Sequence, residues 1–269
     1  MSSVPLSSGR EVAASAVTVS PAEVFRAQLS ALYALSQKNH FIFGSPLGPF
    51  FQQDRHAYLP RFVFFGPHAS DDSWRVAFLA GYDQRDLRAS CAVLHLVERL
   101  ALNADQGHGL NLSFFPLVDA SGFAHGVAPR GLREEHWGRS RHPEIELLEK
   151  DARLRGYHGF VRIESADAGD DFITVSVRHP ASALGTPDLE LISSEETDPF
   201  PVRFEAGAPA SVATSGPLSV ADDLRHAPFE LVLRVPAHWP DDLYQSAVSS
   251  ILTRFILRYR AFQAYGQHL

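Results

Sequence analysis

Hydrophobic and polar positions repeat along this chain with two periods, and the switches between them mark out its elements. Residues 74–80 (WRVAFLA) contain the unbroken apolar run VAFLA, the pattern of a strand covered on both faces. Gly81 ends that run. From Asp86 to Leu102 the apolar positions Leu87, Cys91, Leu94, Val97, Leu100 and Leu102 recur at helical spacing. A buried strand, a sharp turn and an amphipathic helix therefore follow one another. The turn, 81–86, is where an α/β protein usually keeps its chemistry.

The same reading extends in both directions. Ser20-Pro21-Ala22-Glu23 is a helix start, with Ser20 as cap, Pro21 in the first turn and Glu23 as the reciprocal acid. Val24, Leu29, Leu32 and Leu35 carry that helix to about Lys38. Residues 40–49 alternate and then break at Gly and Pro, giving a strand and a turn. Strands are predicted at 60–67, 108–118, 157–164, 171–178 and 229–235, with a short one at 202–205. Asp119-Ala120-Ser121-Gly122 reads as a turn, and 124–141 as a polar, Gly-rich, basic loop. Helices are predicted at 143–154, where Glu144 and Glu146 complement the dipole, and from Trp239 to about Tyr265.

Alternating strands and helices predict an α/β fold: a mixed, mostly parallel sheet with helices on both faces. The segments 81–86, 119–123, 164–167 and 234–236 all follow strand ends and are expected to converge on one mouth. Residues 1–20 read as a flexible tail, and 21–269 as a single domain with a loop-rich excursion at about 180–225.

Composition narrows the function classes. The chain has 269 residues, 45% hydrophobic and 20% charged, enough for one large core. Its 31 acidic and 24 basic side chains leave a net charge of −7, which argues against nucleic acid or an anionic membrane surface as partner. Cys91 is the only cysteine, so neither an intrachain disulfide nor a cysteine-built zinc site is available. No apolar run approaches the roughly 20 residues of a membrane span, and the first residues lack the pattern of a secretory signal. The expectation is a cytoplasmic protein.

The turn 81–86 (GYDQRD) carries carboxylates and arginines but no histidine. His95 and Glu98 share a helix face but lie mid-helix, and read as a surface pair. His125, His136, His142, His158 and His179 offer a relocated metal site, against thirteen histidines in all, which makes chance clustering common. His68 with Asp71 and Asp72 reads as an ordinary turn. Arg130, Arg133, Arg139 and Arg141 make the 124–141 loop basic; guanidinium geometry suits bidentate carboxylate binding, and the other reading is a solvated loop paired with Glu134 and Glu135. There is no Gly-x-Ser-x-Gly elbow, phosphate-binding Gly-rich loop or dinucleotide fingerprint.

The ordered set of segments resembles the zinc carboxypeptidase superfamily, in particular its small branch near succinylglutamate desuccinylase and aspartoacylase. AFLAGYDQRDLRASCAVLHLVERL is similar to that branch's strand ending in Ala-Gly-x-His-Gly-x-Glu, with Ala80 and Gly81 in place. FFPLVDASGF (114–123) resembles the strand ending in Pro-x-x-Asn-Pro-x-Gly-Phe, and HPEIELLE (142–149) the helix start after the Asn-Arg motif. GFVRIESAD (159–167) resembles the strand carrying the third zinc ligand, and FELVLRVPA (229–237) the strand carrying the general base. Together these span about residues 60–265.

At the chemical positions the chain departs from that pattern. Asp83 stands at the first ligand position, Asp86 at the second and Glu164 at the third; Arg234 stands at the general base, and Gly138-Arg139 at the Asn-Arg pair. An arginine stays protonated and cannot take a proton from a metal-bound water. The resemblance thus implies a catalytically inactive relative with no cofactor, its three carboxylates neutralised by Arg234. Arg130, Arg139 and Arg234 are the ligand-binding candidates for a peptide-like or acyl-amino-acid ligand, and a protein partner is also expected. Two alternatives stay open. One is an active metal-dependent hydrolase, with zinc on relocated ligands or another divalent metal on Asp83, Asp86 and Glu164. The other is a structural interaction protein with a filled pocket.

Overall fold

The computed structural model describes residues 20–52, 55–125, 130–166, 169–179, 200–206 and 216–266. Most of the predicted tail and much of the 180–225 excursion lie outside these residues. The strands are β1 (Ile42–Gly44), β2 (Leu47–Gln52), β3 (Arg55–Leu59), β4 (Phe62–Phe65), β5 (Trp74–Leu79), β6 (Leu110–Phe115), β7 (Gly159–Ala166), β8 (Ile173–Arg178), β9 (Val202–Ala206) and β10 (Phe229–Pro236). The helices are α1 (Pro21–Ser36), α2 (Leu87–Leu102), α3 (Ala120–His125), α4 (Pro143–Arg155) and α5 (Asp241–Gly266).

Eight strands form one sheet in the order β1-β4-β6-β5-β7-β10-β8-β9, and β2 and β3 form a separate hairpin. The central strands β6, β5, β7 and β10 run parallel, β8 and β9 are parallel to each other, and the β1–β4, β4–β6 and β8–β10 pairs are antiparallel. The sheet is mixed and mostly parallel, as the alternation of elements predicts.

The apolar run of β5 is explained by two cores. Val76, Phe78 and Ala80 pack with α1, α2 and α5 on one face, while Ala77 and Leu79 pack with α4 and the 130–139 segment on the other. Successive side chains of a strand point to opposite faces, so a strand buried on both cannot alternate. The start of α1 is equally local in origin: the Ser20 hydroxyl accepts from Glu23 N at 3.3 Å and Glu23 Oε2 accepts from Ser20 N at 2.9 Å. Such caps contribute about 1 kcal/mol.

Two elements differ from the sequence reading. Residues 120–125 form α3 rather than a turn, because Asp119 accepts from Gly122 N at 3.0 Å through its side chain and from Phe123 N at 3.1 Å through its carbonyl. Six residues are too few to show a helical period. The β2–β3 hairpin was not anticipated, since its connection lacks the Asn-Gly or Asp-Gly turn that signals one.

Candidate functional site

Because β5, β6, β7 and β10 are parallel, their carboxyl ends share one edge of the sheet. Gly81 makes the turn there possible. Its φ is +67°, and a side chain would strike Ser90 Oγ at 2.6 Å and the backbone of Pro116 and Leu117 at 2.9 Å. The ends of β5 and β6 are stitched around it: Ala80 N donates to Phe115 O at 3.0 Å, Val118 N to Ala80 O at 2.9 Å and Asp119 N to Gly81 O at 2.8 Å.

Asp83 lies in this turn, a quarter exposed, and pairs with Arg85 at 2.7 Å. Arg85's hydrogen bonds hold its carboxyl below the usual range. Asp86 stands at the head of α2 without capping it. It reaches across to β7 instead, accepting from Ser165 N at 2.8 Å and Ser165 Oγ at 2.7 Å, and that hydroxyl also meets Tyr244 OH at 3.1 Å.

Glu164, at the end of β7, is 2% exposed. Three guanidinium groups surround it. Arg162 Nε is 2.8 Å from Oε1, Arg133 Nε is 3.4 Å from Oε1, and Arg234 Nε is 3.5 Å from Oε2. Glu164 and Arg234 are register partners on β7 and β10. Arg162 also pairs with Glu230 at 3.4 Å, and Arg178 pairs with the other oxygen of Glu230. A ladder of alternating charge thus crosses β7, β10 and β8. The buried Tyr82 ring packs beneath Arg162, 5.6 Å from its guanidinium, and burial pushes the Tyr82 hydroxyl well above its ordinary pKa.

Beside Arg133, at the carboxyl ends of β5 and β7, opens a cavity of about 690 Å³ lined by Tyr82, Asp83, Arg85, Asp86, Arg88, Arg133 and Ser165, among others. Asp83 and Asp86 therefore both line it, whereas Glu164 does not and adjoins it only through Arg133 and Ser165. Arg234 meets Glu164 from the β10 side and is not part of the lining. Arg130 is committed inside the protein: it holds Asp119, and its Nη2 is 2.6 Å from Glu144 Oε1. Burial opposes ionisation of Glu144, but the hydrogen bonds from Arg130 and Ser121 outweigh it and hold that carboxyl below its usual range. Arg139 is exposed on a 3-10 turn, Trp137–Arg139, and does not line the cavity.

Sequence reasoning did not single out Arg162, Ser165 or Tyr82 for the site, and it named Arg133 only among the four arginines of the basic loop, not with the ligand-binding candidates Arg130, Arg139 and Arg234. Arg162 and Glu164 carry a signal in retrospect: charged residues two apart in an apolar strand point to one face and must be paired if buried. Nothing in the loop sequence distinguishes Arg133 from Arg130, because their partners come from distant segments.

Among the described residues, no group of three or more His, Cys, Asp and Glu side chains is gathered to hold a metal. His95 and Glu98 form an exposed pair at 3.7 Å, and His142 pairs with Glu135 at 3.5 Å. No described helix is long and apolar enough to cross a membrane. Cys91 is buried, which pushes its thiol up to about 11.

No protein-family model and no curated protein matches this sequence. Solved structures do match in architecture. A candidate metallopeptidase from Shewanella denitrificans OS217 has a TM-score of 0.60 at 17% identity, over 88% of this chain and 90% of that one. A metallo-carboxypeptidase from Burkholderia cenocepacia has a TM-score of 0.63 at 14% identity, over 88% of this chain and 68% of that one. Bovine thrombin-activatable fibrinolysis inhibitor has a TM-score of 0.58 at 10% identity, over 89% and 97% of the two chains. The fold is zinc-carboxypeptidase-like. The likeness is to the architecture of that superfamily; these structures do not bear on the succinylglutamate desuccinylase/aspartoacylase branch. The cavity sits at the carboxyl ends of the parallel strands, where open α/β sheets take ligands.

Proposed function

We propose that this chain is a carboxypeptidase-fold protein that binds a carboxylate-bearing, peptide-like or acyl-amino-acid ligand without zinc-dependent hydrolysis. The observation that carries the reading is Glu164 between Arg133, Arg162 and Arg234. Three guanidinium groups supply the positive charge that a metal brings to such a pocket, and they occupy the approach to the carboxylate. The other two acids are also engaged, Asp83 by Arg85 and Asp86 by Ser165. This donor set does not fit zinc, which favours imidazole with one carboxylate and an open position for water. Arg234 has no lone pair to accept the proton of an attacking water.

Arg133 lines the cavity with its side chain 36% exposed; Arg85 and Arg88 line it too, but Asp83 holds the first at 2.7 Å and Asp241 the second at 2.7 Å, so Arg133 is taken as the ligand-facing guanidinium. Its planar fork suits a carboxylate, and such a charge-assisted hydrogen bond contributes about 1.5–3 kcal/mol. Arg234 neutralises Glu164 from behind. Arg88 braces the rim, donating to Trp239 O at 2.8 Å and pairing with Asp241 at 2.7 Å.

Isothermal titration with hippurate, a small acyl-amino acid, tests this. The reading expects saturable binding, at least about tenfold weaker in Arg133→Ala, with no glycine released. Absence of binding at millimolar hippurate, release of glycine, or a stoichiometric metal tightly held by Asp83, Asp86 and Glu164 overturns it.

A further inference from the structure

A second place in the molecule brings metal-ligating side chains together, at the opposite end of the sheet from the cavity. His68 occupies the third position of the turn 66–69, closed by Ala69 N donating to Gly66 O at 3.0 Å. Its φ is +58°, and among the described residues no other non-glycine has a positive φ. That position normally goes to Gly or Asn, and a residue with a Cβ pays about 1 kcal/mol there. The turn projects the His68 imidazole toward His108, which follows the 3-10 turn Ala104–Gly107. The two ring centroids lie 4.9 Å apart at an interplanar angle of 38°.

The backbones behind both rings are locked together. Gly109 N donates to Pro67 O at 2.8 Å and Gly66 N to Leu110 O at 2.9 Å. The strands of chain approach so closely that a side chain on Gly66 would lie 1.8 Å from Gly107 O. The separation of the two backbones is therefore set by the fold, and the rings meet across it. Two imidazoles on one tetrahedral zinc, with Zn–N of about 2.0–2.1 Å, place their ring centroids about 5 Å apart.

We infer that His68 and His108 form a surface site for a borderline divalent cation, of which Zn²⁺ is the natural probe. Imidazole pairs select Zn²⁺, Cu²⁺ and Ni²⁺ over Mg²⁺ and Ca²⁺. Both residues are exposed, and among the described residues no third His, Cys, Asp or Glu joins them, so water completes the coordination. The site is exchangeable, and distinct from the ligand positions around Glu164.

Titration of the full chain with ZnCl₂ in a non-chelating buffer tests the inference. One equivalent is expected, with affinity reduced at least about tenfold in His68→Ala and in His108→Ala. His68→Gly supplies a second readout, because glycine accepts the turn's φ: this variant should lose zinc while melting higher than the parent. Asp86→Asn should titrate as the parent does. Binding unchanged in both histidine variants, zinc lost in Asp86→Asn alone, or no binding at millimolar zinc overturns the inference.

Discussion

Arg162 Nε lies 2.8 Å from Glu164 Oε1, and the two residues are neighbours on one face of the same strand. Both are almost fully buried, at 3% and 2% exposure. Ionised groups removed from water persist only when compensated, and here the compensation comes from β7 itself, from β10 through Arg234 and from the loop through Arg133. Replacing the acid leaves the guanidinium groups facing one another. Glu164→Gln, nearly isosteric, is expected to destabilise the chain by about 3 kcal/mol. Urea unfolding checks this: a change under 0.5 kcal/mol is incompatible with a compensated buried charge.

Gly81→Ala tests whether the turn after β5 admits a side chain. The positive φ and the contact with Leu117 Cα at 2.9 Å both oppose it. A loss above about 2 kcal/mol is expected, since the backbone of two strand ends has to move. Hippurate binding should weaken together with stability, because Asp83 and Asp86 hang on the same turn.

Two of the three arginines of the 130–139 segment, Arg130 and Arg139, are expected to behave oppositely. Arg130 is the counter-charge of Asp119 and Glu144, both fully buried, so Arg130→Ala should cost about 3–5 kcal/mol. Arg139 is exposed, and Arg139→Ala should fall within about 0.5 kcal/mol of the parent. Melting temperatures of the two variants separate a structural arginine from a solvated one. A loss of hippurate affinity in Arg139→Ala at unchanged stability would restore it as a ligand residue.

Acid should loosen the amino ends of the central strands. His158 N donates to Arg75 O at 2.8 Å, and its Nδ1 accepts from Arg75 N at 3.2 Å. Its ring stacks on His226 at 4.0 Å. Burial first, then His226, Arg75 and Arg225, lower its pKa from 6.5 to about 4, and burial and Arg225 also lower that of His226. Between pH 6.5 and about 4 the unfolded chain holds protons that the native chain refuses. This contribution to stability is therefore full above 6.5, declines as the pH falls through that window, and changes no further below it. His158→Asn keeps an acceptor near Arg75 N without titrating. Its stability profile should be flatter between pH 4 and 6.5, and an unchanged profile would show that the His158–Arg75 contact does not couple to folding.

Local pattern carried most of the elements. The VAFLA run of β5, the apolar stripe of α2, and the Ser20–Glu23 box need only nearest neighbours to be read, and each stands where its residues place it. What the 81–86 turn does with its acids was not legible in the same way. Asp86 suits a helix cap by sequence, yet its partner is Ser165, 79 residues away. Arg130 and Arg133 are equivalent as loop arginines, and only the approach of Asp119 and Glu144 to one and of Glu164 to the other separates them.

By itself, then, the sequence determined the order of strands and helices apart from α3 and the β2–β3 hairpin, the doubly covered sheet, the glycine turn at its mouth and the absence of histidine from that turn, because period, propensity and composition are properties of adjacent residues. The tertiary structure alone decided which charges meet: that Glu164 lies among three arginines, that Arg130 faces inward, and that His68 stands beside His108. Electrostatic and coordinating partners are chosen by distances of a few ångströms between segments remote in the chain, and no local pattern encodes those distances.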